Sequence, residues 1–399
     1  MRKIFASLGI VIAVLAVLAY SYRDEVVRAL FAGSLFRGVE QYDNFNRVAD
    51  LFPTTTMTAS ATPYRFPMGA PANLPATFVY RDRKTDVEDF LALTDTAALL
   101  VLKDGAIVHE QYRLTGGTDV NWLSMSVAKS FLSTGIGIAV DEGLIDIHKT
   151  MEAYVPLLAG SAYDGVRIKD VLQMSSGAAW DETYSDPGSE INRLGRVLAL
   201  GGSTSEFVAG MQREFEPGTV NRYNSADTQA LGLLLTQATG KSITAYLTEK
   251  IWHPLGMEND AFWIIDSDNV EMAFFGLNAT ARDYSKLGEL FRNAGEWQGE
   301  RIVAASWVRD ATTPDAPHVM PKPESDYPFG YGYQWWVPQG NEGEFMAIGV
   351  YNQFIYVNPT RDVVITKLSA FSDYATSEDE TAYREVESLA LFRAIARSL

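Results

Sequence analysis

Hydrophobic and polar positions change period several times along this 399-residue chain. Met1, Arg2 and Lys3 lead into an apolar or small run over 4–19, which closes on Tyr20, Tyr22 and Arg23. A cationic lead before such a run predicts an export signal, but the run is longer than most signal-peptide cores and lacks a clean Ala-x-Ala site. Residues 1–23 are therefore expected to remain as an inner-membrane anchor, with the N-terminus in the cytoplasm and the body in the periplasm or outside. Cleavage would instead release the body into the periplasm. From 24 to about 47, Val26, Val27, Leu30, Phe31, Leu35 and Phe36 follow helical spacing broken at Gly33 and Gly38, which predicts a stalk. Residues 52–76 carry Pro53, Pro63, Pro67, Pro71 and Pro75, so stalk and extended linker or wrap together are expected over 24–78.

The pattern then turns to folded-domain periods. Two β-rich runs, 97–102 and 106–113, flank a Lys103-Asp104-Gly105 turn, as a hairpin requires. Helical spacing follows over 127–142, 168–174, 204–211, 226–238, 243–252 and 281–294. Short β-branched or aromatic runs at 331–337, 344–349, 354–357 and 363–368 predict strands. Val386, Leu389, Phe392 and Ile395 place one apolar face on a C-terminal helix. Strands at both ends of a long helical middle imply one domain over 79–399, its sheet assembled from distant segments and a helical subregion inserted at about 126–325.

Composition narrows the possible functions. With 47% hydrophobic residues the chain can bury a large core. A net charge of -17 spread along the sequence leaves no basic face for nucleic acid. The absence of cysteine excludes disulfides, thiolate metal sites and a cysteine nucleophile. His109, His148, His253 and His318 are scattered without metal-ligand spacing, and neither a Gly-x-Ser-x-Gly elbow nor a Gly-x-Gly-x-x-Gly loop occurs. No metal and no cofactor are expected.

Candidate chemistry begins at Ser126-Val127-Ala128-Lys129, where Ser126 falls in a first helical turn with Lys129 three residues on along the same face. The helix N-terminus and an ammonium group both favour a serine losing its proton, and a desolvated lysine could act as base. None of the other ten lysines has a serine three positions before it. Tyr223-Asn224-Ser225 follows a Glu216-Pro217-Gly218 turn and precedes the helix near 226, so its phenol can enter a cleft. Beside a cationic Lys129, the Tyr223 pKa is expected to fall, making it a base toward Ser126 and later an acid toward the leaving group.

The order Ser-x-x-Lys, Tyr-x-Ser and a late Gly-containing strand resembles the serine β-lactamase and penicillin-binding-protein superfamily over about residues 80–399. Val171-Leu172-Gln173-Met174-Ser175-Ser176-Gly177, Pro254-Leu255-Gly256-Met257 and the stretch from Gly276 to Asp283 are similar to its class C β-lactamase-related branch. Tyr-x-Ser in place of Tyr-x-Asn looks most like the 6-aminohexanoate-dimer hydrolases and related carboxylesterases. The resemblance implies an α/β (α+β), β-lactamase-like fold with an antiparallel sheet flanked by helices. It also implies Ser126, Lys129 and Tyr223 as catalytic residues, with the backbone N–H groups of Ser126 and Val350 as an oxyanion hole. Ser225, Gly349, Tyr184 and Ala347 are the implied substrate-side residues, Ala347 standing where β-lactam-binding relatives usually carry the lysine of Lys-Thr-Gly. The chain departs from the related hydrolases at Asn352, where a Gly before Gln353 is common.

The expected activity is hydrolysis of a small-molecule ester or linear amide through an acyl-enzyme on Ser126. A β-lactamase or D-alanyl-D-alanine carboxypeptidase is an alternative that Ala347 argues against, since the cation that would hold a carboxylate is missing. A catalytically silent, membrane-tethered binding protein is another, and it has no need of all three catalytic residue types.

Overall fold

Seven strands form the main sheet: β1 (Thr96–Lys103), β2 (Ala106–Tyr112), β3 (Phe329–Tyr331), β4 (Trp336–Pro338), β5 (Phe345–Gly349), β6 (Gln353–Asn358) and β7 (Val363–Ser369). They run antiparallel in the order β3-β4-β5-β6-β7-β1-β2. This computed structural model describes Tyr20, Leu35, Phe36 and residues 40–50, 52–374, 376 and 380–399. The expected anchor over 1–23, Tyr20 apart, and much of the stalk lie outside the described residues. No helix among the described residues is long and apolar enough to cross a membrane.

Both faces of the sheet are covered, so β1 is an almost unbroken apolar run, buried at every position but its last. Leu100 and Leu102 join the core on the helical side, while Leu99 and Val101 point to the opposite side. Four helices frame the site and the sheet: α1 (Ala128–Asp141), α2 (Ser225–Thr239), α3 (Ala281–Arg292) and α4 (Glu385–Ser398). Helix α3 lies on β7 and β6, and Gly288 permits that approach, because a Cβ there would stand 2.6 Å from Val364 Cγ1. Helix α4 covers the other face through Leu389, Phe392 and Ile395, the stripe that its spacing predicts. The α/β architecture with its inserted helical region is the expected one.

Local departures have identifiable causes. The single strand expected over 331–337 is two, β3 and β4, because residues 332–335 turn through a left-handed Gln334 (φ +64°) and bury Trp335. A helix absent from the sequence reading, Glu190–Leu200, starts on the Ser189 cap and buries Ile191, Leu194 and Leu198. Residues 52–76 are wrapped into the body: Thr54–Met57 pairs antiparallel with Ala261–Ile264, and Phe52, Met57 and Phe66 are buried. The fold thus begins upstream of the boundary expected at 78/79, since the apolar side chains between the prolines have a core to enter. Phe45, within the expected stalk, is also buried, set edge-on against Trp122 and Tyr351.

Candidate active site

Ser126 sits in a 3₁₀ turn, Met125–Val127, that runs directly into α1. Met125 before it is held at φ +48°, a left-handed conformation unusual for a non-glycine residue, so the turn presents Ser126 at a sharp corner. One helical turn later Lys129 is 1% exposed, with Nζ 2.9 Å from Ser126 Oγ, 3.1 Å from Ser225 Oγ and 3.0 Å from the Phe274 carbonyl oxygen. Burial lowers the Lys129 pKa to about 7, against a smaller opposing pull from the Glu182 charge.

Tyr223 and Ser225 flank Asn224, whose side chain accepts from the N–H groups of Ala226 and Asp227 and caps α2. That cap fixes where loop becomes helix, bringing Tyr223 against Ser126 and Ser225 against Lys129. The electrostatics of Tyr223 correct the sequence expectation. Burial, then Tyr331 and Glu182, push its pKa well above the ordinary tyrosine value, while its hydrogen bond with Ser126 pulls weakly the other way. The Lys129 ammonium position lies over the phenol ring, 4.9 Å from its centroid, and the amine is itself depressed toward neutrality. A lysine with so little positive charge cannot stabilise a neighbouring phenolate and so cannot lower the tyrosine pKa.

Ser126, Tyr223 and Val350 line one cleft of about 990 Å³ with Tyr184 on its wall. Gly349 has a different use from the expected contact with substrate: a Cβ there would lie 2.7 Å from the Ser124 carbonyl oxygen and 3.0 Å from Ser126 N. Only a glycine lets the end of β5 abut the Ser126 turn, which brings Val350 beside Ser126. Ala347 is buried in the core behind the cleft while Ile348 lines the cleft, so the alternation of β5 turns Ala347 away from the expected substrate position. Ser225, also expected on the substrate side, is 1% exposed and engaged with Lys129. Asn352 takes φ +70° in the β5–β6 turn, a conformation that asparagine tolerates, and it donates to the Tyr383 carbonyl.

Glu182 is the residue that sequence reasoning passed over. Its Oε1 accepts from Ser225 Oγ at 2.7 Å and from Tyr184 Oη at 2.6 Å; its Oε2 accepts from the Ser225 N–H at 3.1 Å and from the Trp180 indole. Trp180, Glu182 and Tyr184 stand two residues apart along a loop, a spacing that could have marked them as one surface. Glu385 forms part of the far wall and accepts from Tyr374 and Tyr327. Of the cations lining the cleft, Arg222 is committed to Glu214 and Lys322 is exposed at the rim. Among the described residues, no group of three or more His, Asp or Glu side chains is arranged to hold a metal ion.

A family model described as Beta-lactamase matches residues 87–390. The chain belongs to the beta-lactamase family. Within that family it is 31% identical over 339 residues to the 6-aminohexanoate-dimer hydrolase of Paenarthrobacter ureafaciens, covering 82% of this chain and 85% of that protein. A solved structure from Bacillus anthracis, provisionally named a 6-aminohexanoate-dimer hydrolase, superposes with TM-score 0.81 at 24% identity, over 91% of this chain and 95% of that one. A family VIII carboxylesterase shares the fold at TM-score 0.57 and 18% identity, over 78% of this chain and 96% of that one. This beta-lactamase-family chain is accordingly a serine hydrolase by kinship.

Proposed function

We propose that the protein hydrolyses a carboxylic ester or a linear amide through an acyl-enzyme on Ser126. The observation that carries this reading is a fully buried Lys129, depressed to a pKa of about 7, within hydrogen-bond reach of Ser126 Oγ. Neutral Lys129 takes the Ser126 proton as Oγ attacks the carbonyl carbon. The backbone N–H groups of Ser126 and Val350, on the facing turn and strand end, receive the developing oxyanion. Tyr223, kept as a phenol by its raised pKa, gives its proton to the departing alkoxide or amine and is reprotonated from Lys129. Water then attacks the acyl group, returning the proton to Ser126 and releasing the acid.

The relative named a 6-aminohexanoate-dimer hydrolase and the carboxylesterase neighbour support linear amides and esters as substrate classes. Ile348, the β5 residue that faces the cleft, offers no cation to hold a carboxylate, which disfavours β-lactams and peptidoglycan stems. A panel of p-nitrophenyl esters and linear anilides, assayed with the native chain and Ser126→Ala, tests the reading. Turnover confined to the native chain is expected, and equal turnover by the variant would defeat it. Stoichiometric labelling of Ser126 by a fluorescent penicillin would move the substrate class to β-lactams.

A further inference from the structure

We propose that Glu182 is a positioning residue: by accepting the hydrogen bond of the Ser225 hydroxyl, it leaves Ser225 able only to accept from Lys129 and so turns the lone pair of neutral Lys129 onto Ser126. The inference rests on the assignment of Ser126 as nucleophile and Lys129 as base, and adds a residue that assignment does not contain.

Four donors converge on the two Glu182 oxygens: the hydroxyls of Ser225 and Tyr184, the Ser225 N–H and the Trp180 indole N–H. Two of these, the backbone amide and the indole, can only donate. Their four bonds fill the four acceptor positions of a carboxylate, so Glu182 acts as acceptor only and the Ser225 hydroxyl proton points at it. Ser225 Oγ then has only lone pairs left for Lys129, 3.1 Å away. The Phe274 carbonyl, 3.0 Å from Nζ, is likewise acceptor only. A neutral amine has two N–H bonds and one lone pair. Both N–H bonds are therefore spent on Ser225 and Phe274, and the remaining direction, toward Ser126 Oγ at 2.9 Å, carries the lone pair.

Without that constraint the polarity is ambiguous. A free Ser225 hydroxyl could donate to Lys129, which would then turn an N–H toward Ser126 and be unable to receive its proton. After transfer the arrangement remains satisfied, since the three N–H bonds of the ammonium meet Ser126, Ser225 and Phe274. Glu182 also acts through space, because its charge raises the Lys129 pKa against the larger effect of burial. Other titratable groups face this centre from neighbouring elements: Tyr223 ahead of α2, Tyr331 on β3, Tyr184 beside Glu182 and Glu385 on α4. Asp227 on α2 is raised to about 7 by burial and is engaged with Ser176 and Tyr163.

The test measures the rate of Ser126 labelling by a fluorophosphonate, and of p-nitrophenyl butyrate hydrolysis, against pH for the full chain. In Glu182→Gln the amide N–H₂ can donate to Ser225 and free its proton to turn on Lys129. The expected result is a plateau rate lower by about 10- to 100-fold, together with an acid-limb midpoint shifted to lower pH, since the charge that raises the Lys129 pKa is gone. A merely structural role would lower the plateau and leave the midpoint in place. Glu182→Asp keeps the charge, so its midpoint should stay at the native value while part of the plateau returns. Asp227→Asn should leave the limb unmoved, assigning it to Lys129. Combining Glu182→Gln with Ser225→Ala should cost no more than the worse single change, because the pair acts as one unit. A Glu182→Gln plateau within twofold of native, an unmoved midpoint, or multiplying effects in the double variant would each overturn the proposal. Should Glu182→Gln not fold by circular dichroism, Glu182→Asp carries the same test through its plateau. Failure of the native chain to label at all would instead remove the Ser126 assignment itself.

Discussion

Lys129 and Lys367 are both fully buried, both lose basicity to desolvation, and have different surroundings. Lys129 has three oxygen partners and opens through Ser126 to the cleft. Lys367 is sealed on the α4 side of the sheet, with Ser369 Oγ at 2.7 Å, the Phe354 ring below it at 5.6 Å and the more distant Asp95 charge opposing its burial. Burial alone therefore makes a neutral lysine. Useful chemistry also requires that the lone pair be aimed and that the target be reachable.

The two lysines should differ most in their effect on rate. Lys129→Met should lower kcat/KM on p-nitrophenyl butyrate by about 10³-fold, with the fold retained by circular dichroism; Lys367→Met should change it by less than about twofold. The serine partners should separate in the same sense. Ser225→Ala removes one Lys129 acceptor and should cost about 10²-fold in rate. Ser369→Ala leaves the Lys367 amine unpaired and should cost about 1–3 kcal/mol in urea unfolding, with the rate unchanged.

The pH profile sharpens the contrast further. Below about pH 7 the rate should fall about tenfold per unit, as Lys129 is protonated. No alkaline limb should appear below pH 10, because Tyr223 keeps its proton there. An alkaline limb near pH 8 would restore the lowered tyrosine pKa that the sequence suggests.

The smallest effect is on stability. Each lysine has a folded pKa below its ordinary 10.5, so in the interval between the two values the unfolded chain binds a proton that the folded chain does not. Stability is thus complete above 10.5 and declines as pH falls toward the folded pKa, at about 1.4 kcal/mol per unit for each group. For Lys129 that window runs from about 7 to 10.5. Lys367→Met should flatten the slope measured by urea unfolding between pH 8 and 9.5 and raise Tm by about 2–4 °C. An unchanged slope would mean that Lys367 is charged in the folded state.

What could be read from the order of residues is what neighbouring residues decide among themselves. The Ser126–Lys129 spacing brings the two together on any helix, the Asn224 cap sets Tyr223 and Ser225 at a helix start, and the apolar stripe of α4 follows its own period. Segments far apart in the chain decided the rest. The pairing of β1 with β7, the burial of Met57 under the 261–264 strand, and the fit of Gly349 against Ser124 all depend on surfaces that no local pattern contains. The same holds for the proton. Spacing along the chain makes Ser126 and Lys129 neighbours, whereas packing between distant segments brings the Lys129 pKa down to about 7, keeps Tyr223 protonated and lets Glu182 reach Ser225. Desolvation sums over every atom packed round a charge, and those atoms arrive from elements scattered along the whole chain.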